Sequence, residues 1–184
     1  HMATGSGKTV IMAGIILYLY TKGYRNFLFF VNQTNVLEKT KENFTNQKSS
    51  KYLFNDVVEY PGNRVNLKHV DNFSDGALEE DIQICFTTTQ KLHMDLFEAK
   101  ENSITYEDFE DNKVVFISDE SHHINTMTKK QTKEEEEAEK SWEYSVSNAF
   151  SKNKDSIMLE LTATADLKDT NVQNKYVDKI IYDY

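Results

Sequence analysis

The 184-residue chain is 39% hydrophobic, carries a net charge of −9 and contains a single cysteine. That length and apolar content suit one globular domain with its own core, and one cysteine excludes a disulfide within the chain. A lone thiol fits a reducing compartment, here expected to be the cytoplasm, and no apolar stretch reaches the ~18 residues of a membrane span, so no membrane partner is expected.

Taken in chain order, residues 2–9 read Met-Ala-Thr-Gly-Ser-Gly-Lys-Thr. A triphosphate needs many backbone N–H donors at close range, which a glycine-rich turn supplies. It also needs a cation from the protein and a hydroxyl for Mg²⁺. Gly5, Ser6, Gly7, Lys8 and Thr9 bring all of these within five residues. A phosphate-binding loop ordinarily follows a strand. His1-Met2 has the character of a cloning remnant, so the domain is expected to be N-terminally truncated.

Residues 9–22 are apolar nearly all round, which predicts a helix packed between a sheet and other elements, ended at Gly23. The continuous run 26–32, Asn-Phe-Leu-Phe-Phe-Val-Asn, predicts a strand buried on both faces. Residues 34–46 fit a polar helix with Val36, Leu37 and Phe44 toward the core. Residues 56–60 read as a strand stopped by Pro61-Gly62. Residues 63–81 read as irregular and acidic.

Ile82–Phe86 predicts a further buried strand, with Cys85 inside it as a small hydrophobe. Thr87-Thr88-Thr89-Gln90 and a helix to about 99 follow. Residues 113–118 form a strand ending at Asp119-Glu120-Ser121-His122-His123. Residues 126–141 are polar, with Glu134–Glu137 in a row, and read as a mobile insertion turning helical toward Trp142 and Phe150. Trp142, Tyr144, Val146 and Phe150 fit core packing better than a base-stacking platform. Ile157–Leu161 is another buried strand, ending in Thr162-Ala163-Thr164, and Lys179–Tyr184 is a possible last one.

Alternating strands and helices predict an α/β fold with a mostly parallel sheet and helices on both faces. Ligands of such sheets gather at the carboxyl ends of the strands. Polar clusters at 32–34, 87–90, 119–123 and 162–164 each follow a strand, so they should share one edge with the glycine-rich loop. Charge is unevenly spread. Residues 1–70 carry nine Lys/Arg and four Asp/Glu, residues 71–120 three and fourteen. Any nucleic-acid contact is therefore confined to one face or supplied partly by other domains.

These motifs, in this order, resemble the first motor domain of a superfamily-2 helicase or translocase. Ala3–Thr9 resembles that group's Walker A loop, with Met2 where the general pattern has its first glycine. Asp119-Glu120-Ser121-His122 resembles the DExH form of Walker B, and Thr162-Ala163-Thr164 the S/T-A-T motif. The double histidine is shared with type I motor subunits and other translocases, while Ser141-Trp142-Glu143 and Leu159-Glu160-Leu161-Thr162-Ala163-Thr164 narrow the likeness to the restriction subunit of type III restriction–modification enzymes.

The resemblance implies a RecA-like P-loop domain spanning residues 1–184, with ATP and Mg²⁺ as cofactors. Lys8 would hold the β- and γ-phosphates, Thr9 and Asp119 the Mg²⁺, and Glu120 would act on the attacking water. His122, Thr162 and Thr164 would couple the nucleotide to movement. Thr34, Thr87 and Thr88 would meet phosphates of duplex DNA, although Thr34 can equally serve as a helix N-cap. His123 is either a packed core histidine or part of the site. A second RecA-like domain, a nuclease domain and a modification methyltransferase subunit would complete the enzyme. The alternatives are a type I restriction motor, a DNA repair helicase, an RNA-directed motor, or a nucleotide-binding module without turnover.

Overall fold

The first helix, α1 (Lys8–Thr21), runs back toward the start of the first strand, β1 (Asn26–Val31). The structure is a computed structural model that describes residues 7–54, 58–60, 63–74, 76–98, 100–119, 133–162 and 170. The chain continues through α2 (Thr34–Thr45), β2 (Val58–Tyr60), β3 (Asn63–His69), β4 (Asp81–Thr88), α3 (Thr89–Phe97), α4 (Tyr106–Asp111), β5 (Val114–Asp119), α5 (Lys133–Ser151) and β6 (Ile157–Leu161). Among the described residues the strands form one sheet in the order β2-β3-β4-β1-β5-β6. Five of them, β3, β4, β1, β5 and β6, run parallel, and β2 joins β3 as an antiparallel edge.

Alternation along the strands builds two cores. Phe27, Phe29 and Val31 of β1, with Val115 and Ile117 of β5, pack under α1 and α2 through Met12, Ile16, Leu37 and Phe44. Leu28 and Phe30, with Val114 and Phe116, pack on the other face against Leu92 of α3, Phe109 of α4 and Val146 of α5. The central strands carry near-continuous apolar runs, such as Phe27–Val31 and Val114–Ile117, because both faces are covered. Helices thus lie on both sides of a mostly parallel sheet, as expected.

Four expectations need correction, the first being Tyr144, which was expected in core packing with Trp142, Val146 and Phe150 and is exposed. Residues 63–69 are not irregular but form β3, in register with β4 at Asn66↔Asp81 and Leu67↔Ile82. Only Val65 and Leu67 are apolar in that strand, so its period-2 signal was thin. Lys68 anchors the pairing through a 2.6 Å ion pair to the buried Asp81. The short helix α4 was not foreseen. The Asp108 carboxylate accepts from the Thr105 N–H at 2.7 Å and from the Phe73 N–H at 2.9 Å, which starts the helix and ties it to the preceding loop. Helix α5 already begins at Lys133, so residues 133–141 of the expected insertion are helical. The rest of that insertion and the expected strand 179–184 lie outside the described residues.

Cys85 is buried on β4 and its Sγ lies 3.5 Å from the Asp71 carbonyl. Burial pushes its thiol up to about 12, with Lys91 opposing and Asp71, Asp95 and Asp108 adding to the rise. At pH 8 only about one thiol in 10⁴ would be the reactive thiolate. The native protein should therefore resist thiol-labelling reagents, and one equivalent should react once denaturant is added. Rapid labelling of the native protein would mean that the α3 side of the sheet opens far more readily than this packing allows.

Candidate nucleotide and nucleic-acid edge

Helix α1 enters through Gly7, whose φ of 89° and ψ of 22° lie in the left-handed region. A β-carbon there would meet nothing within 4 Å, so the backbone conformation rather than space is what asks for glycine. The Gly7 carbonyl accepts from the Val10 and Ile11 N–H groups at 2.9 and 3.1 Å. Among the described residues no side chain caps this helix end. A helix leaves its first N–H groups without intrahelical acceptors, and its dipole favours an anion there.

The position of this helix end follows from simple lengths. Fourteen helical residues span roughly 21 Å, and the six residues of β1 span roughly 20 Å. Because α1 runs antiparallel to β1 and ends beside its start, Lys8 lies level with the carboxyl edge of the sheet. Asp119 closes β5 at that same edge. Alternation from Val115 and Ile117 puts it on the face that carries α1 and α2. Lys8 is only 9% exposed and Asp119 only 8%. Charged side chains are seldom buried without a specific reason. Thr9, half-buried, follows Lys8 in the first turn, and Thr162, also half-buried, follows β6 at the same edge.

An ammonium, a hydroxyl and a carboxylate beside a helix N-terminus suit a triphosphate and a hard cation. Mg²⁺ takes oxygen ligands, keeps several waters and needs few carboxylates. No cluster of three or more His, Cys, Asp or Glu that could cage a metal occurs among the described residues. Gly5, Ser6, Glu120, His122, His123 and Thr164 lie outside the described residues, so of the expected constellation the structure describes Lys8, Thr9, Asp119 and Thr162.

The neighbouring strand ends carry the expected nucleic-acid residues. Thr34 is exposed in the first turn of α2, where Gln33 rather than Thr34 holds the N-cap position. Thr87 is 2% exposed, and its hydroxyl donates to the Thr88 carbonyl at 3.3 Å. Thr88 is the N-cap of α3, its hydroxyl accepting from the Lys91 N–H at 3.1 Å. Of the three threonines, Thr34 alone is exposed. Sequence reasoning missed the contact that spans this edge, a 2.7 Å hydrogen bond from the Thr89 hydroxyl to the Asn32 side-chain carbonyl. Nothing in the sequence links two residues 57 apart, except that each follows a strand. Nearby, at the end of β3, His69 lies against the Phe86 ring. Its pKa is lowered chiefly by burial and then by Lys41, against the opposing pull of Asp71 and Glu38.

A parallel sheet with helices on both faces and charged residues buried at its carboxyl edge defines a RecA-like α/β domain. Residues 1–167 match the family described as type III restriction enzyme, res subunit. The chain is also 39% identical, over 199 aligned positions, to a Haemophilus influenzae protein described as "Probable type III restriction-modification enzyme HindVIP Res subunit". That alignment takes in 98% of this chain and 38% of the relative. The chain thus belongs to the type III restriction enzyme res-subunit family, and it spans well under half the length of this relative. Among the described residues, no helix is long and apolar enough to cross a membrane.

Proposed function

We propose that this chain is the first motor domain of a DNA translocase, binding Mg·ATP and hydrolysing it to drive movement on duplex DNA in the service of restriction. The observation that supports this best is the burial of Lys8 and Asp119 at one edge and on one face of the sheet. In this reading Lys8 neutralises the β- and γ-phosphates, and the first turn of α1 with Gly5, Ser6 and Gly7 donates N–H groups to them. Thr9 and Asp119 would hold Mg²⁺, which would supply positive charge against the phosphates. Glu120 orients the attacking water and takes its proton. His122, Thr162 and Thr164 carry the change in the nucleotide to the neighbouring strand ends. Thr34 and the backbone around Thr87 and Thr88 meet phosphates of one DNA strand, which positions the duplex without reading its sequence.

The remaining parts are assigned to the rest of the subunit and to its partners. A second RecA-like domain would supply arginine to the transition state, a nuclease domain would cut, and a methyltransferase subunit would accompany them in the cytoplasm. An arginine finger contributes a factor on the order of 10³–10⁵ to turnover. The test compares two proteins. A whole subunit should hydrolyse ATP faster when duplex DNA is added. The 184-residue chain alone should turn over ATP at least ~10³ more slowly, with or without DNA. Equal rates would place the catalytic interface inside this chain. A whole subunit whose ATPase ignores DNA would overturn the translocase reading.

A further inference from the structure

We propose that Thr89 is a positioning residue for DNA binding, acting by holding the Asn32 side-chain amide with its two N–H groups directed to a backbone phosphate. This rests on the reading of the carboxyl edge as the DNA-facing edge of a motor domain. Thr89, at 2% exposure, begins α3 directly after β4. A hydroxyl buried to that degree needs a partner, because leaving it without one is costly. The Thr89 hydroxyl donates to Asn32 Oδ1 at 2.7 Å, across the gap between the ends of β4 and β1.

The register makes this meeting unavoidable. β1 and β4 are parallel neighbours with Val31 opposite Thr88, so the next residue of each strand leaves the sheet side by side. Asn32 is exposed, while Thr89 beneath it is not. With its carbonyl oxygen engaged by Thr89, the amide turns its nitrogen outward, and no hydrogen bond from that nitrogen exists among the described residues. An amide has two N–H donors and no charge, which suits a phosphate oxygen rather than a cation. Fixing the rotamer beforehand removes part of the ordering cost of binding. A bond that merely stitched β1 to β4 would not require an exposed asparagine at its outer end. The stitch and the positioning role therefore predict different mutants.

The test uses the whole subunit, with duplex DNA of arbitrary sequence at fixed salt, and follows DNA affinity, nucleotide affinity and thermal unfolding together. Asn32→Asp keeps an oxygen for the Thr89 hydroxyl but replaces the outward N–H donors with negative charge. It should weaken DNA binding about tenfold or more, equivalent to ~1.4 kcal/mol, with nucleotide affinity and melting temperature close to wild type. Thr89→Val removes the hydroxyl at nearly constant volume and should weaken DNA binding about three- to tenfold. Thr89→Ser restores the hydroxyl and should bring affinity back to within about twofold of wild type. If Asn32→Asp binds DNA as tightly as wild type, the positioning role is wrong while the motor reading stands. The same holds if Thr89→Val lowers the melting temperature and leaves DNA affinity unchanged, for the bond is then a stitch. If wild-type protein fails to bind DNA at all, the reading of this edge falls and the positioning role falls with it.

Discussion

Lys8→Ala and Glu120→Gln should both stop an intact motor, but at different steps. Lys8 is a buried ammonium in the first turn of α1. Hydrogen bonds to charged groups contribute about 1.5–3 kcal/mol each. Removing the ammonium should therefore weaken Mg·ATP binding by roughly 10- to 100-fold. Glu120→Gln keeps the side-chain size and leaves Asp119 and Thr9 in place, so nucleotide should still bind. What it lacks is the carboxylate proposed to take a proton from water, a role that contributes about 10²–10⁴ in rate. ATP should bind and persist uncleaved. Nucleotide affinity and single-turnover hydrolysis, measured on both variants, separate the two steps. Normal hydrolysis by Glu120→Gln together with normal binding by Lys8→Ala would strip the motor reading of its chemical basis.

The parts of this molecule legible in the sequence are those whose physics is local. β1 and β5 announce themselves because a strand covered on both faces holds a short unbroken apolar run, and β4 does so with Gln83 alone interrupting Ile82–Phe86. Lys8 and Asp119 stand out because phosphate and Mg²⁺ chemistry need particular groups beside a tight turn and at a strand end. β3 hid because Arg64, Asn66 and Lys68 alternate with only two apolar residues, Val65 and Leu67. α4 did carry a signal, since Thr105 followed three residues later by Asp108 is an acidic variant of the capping box, but six residues give no helical period. The broad apolar face of α1 predicts a helix packed between the sheet and other elements. The structure instead buries Met12, Ala13, Ile16, Leu19 and Tyr20 while Val10, Ile11 and Tyr18 remain exposed. Apolar content tells how much of a helix can be buried, and only the packing partners decide how much is. The Asn32–Thr89 contact was out of reach for another reason. It depends on which strands are neighbours and in what register, and neither is written in the spacing of the two residues.

The largest expected effect on stability is that of Phe116→Ala. Phe116 is 0% exposed in the middle of β5. Its ring stacks on Phe109 of α4 with centroids 5.2 Å apart and meets Phe150 of α5 edge-on at 5.6 Å. One side chain thus joins the sheet to two helices. Truncating a buried Phe costs about 3–5 kcal/mol through lost transfer free energy and the cavity left behind. Domains have only about 5–15 kcal/mol in total. For a chain of this size each kcal/mol shifts the melting temperature by roughly 2–4 °C, so a fall of roughly 6–20 °C is expected. Tyr144→Ala on α5, where the side chain is 66% exposed, is the control and should change stability by no more than about 0.5 kcal/mol. The comparison bears on function as well, because Asp119 lies three residues beyond Phe116 on the same strand. Loosening α4 and α5 from β5 should therefore also weaken Mg·ATP binding near the melting transition, while well below it the nucleotide should still bind. A Phe116→Ala protein melting within about a degree of wild type would mean that α4 and α5 are not held to the sheet by this aromatic cluster.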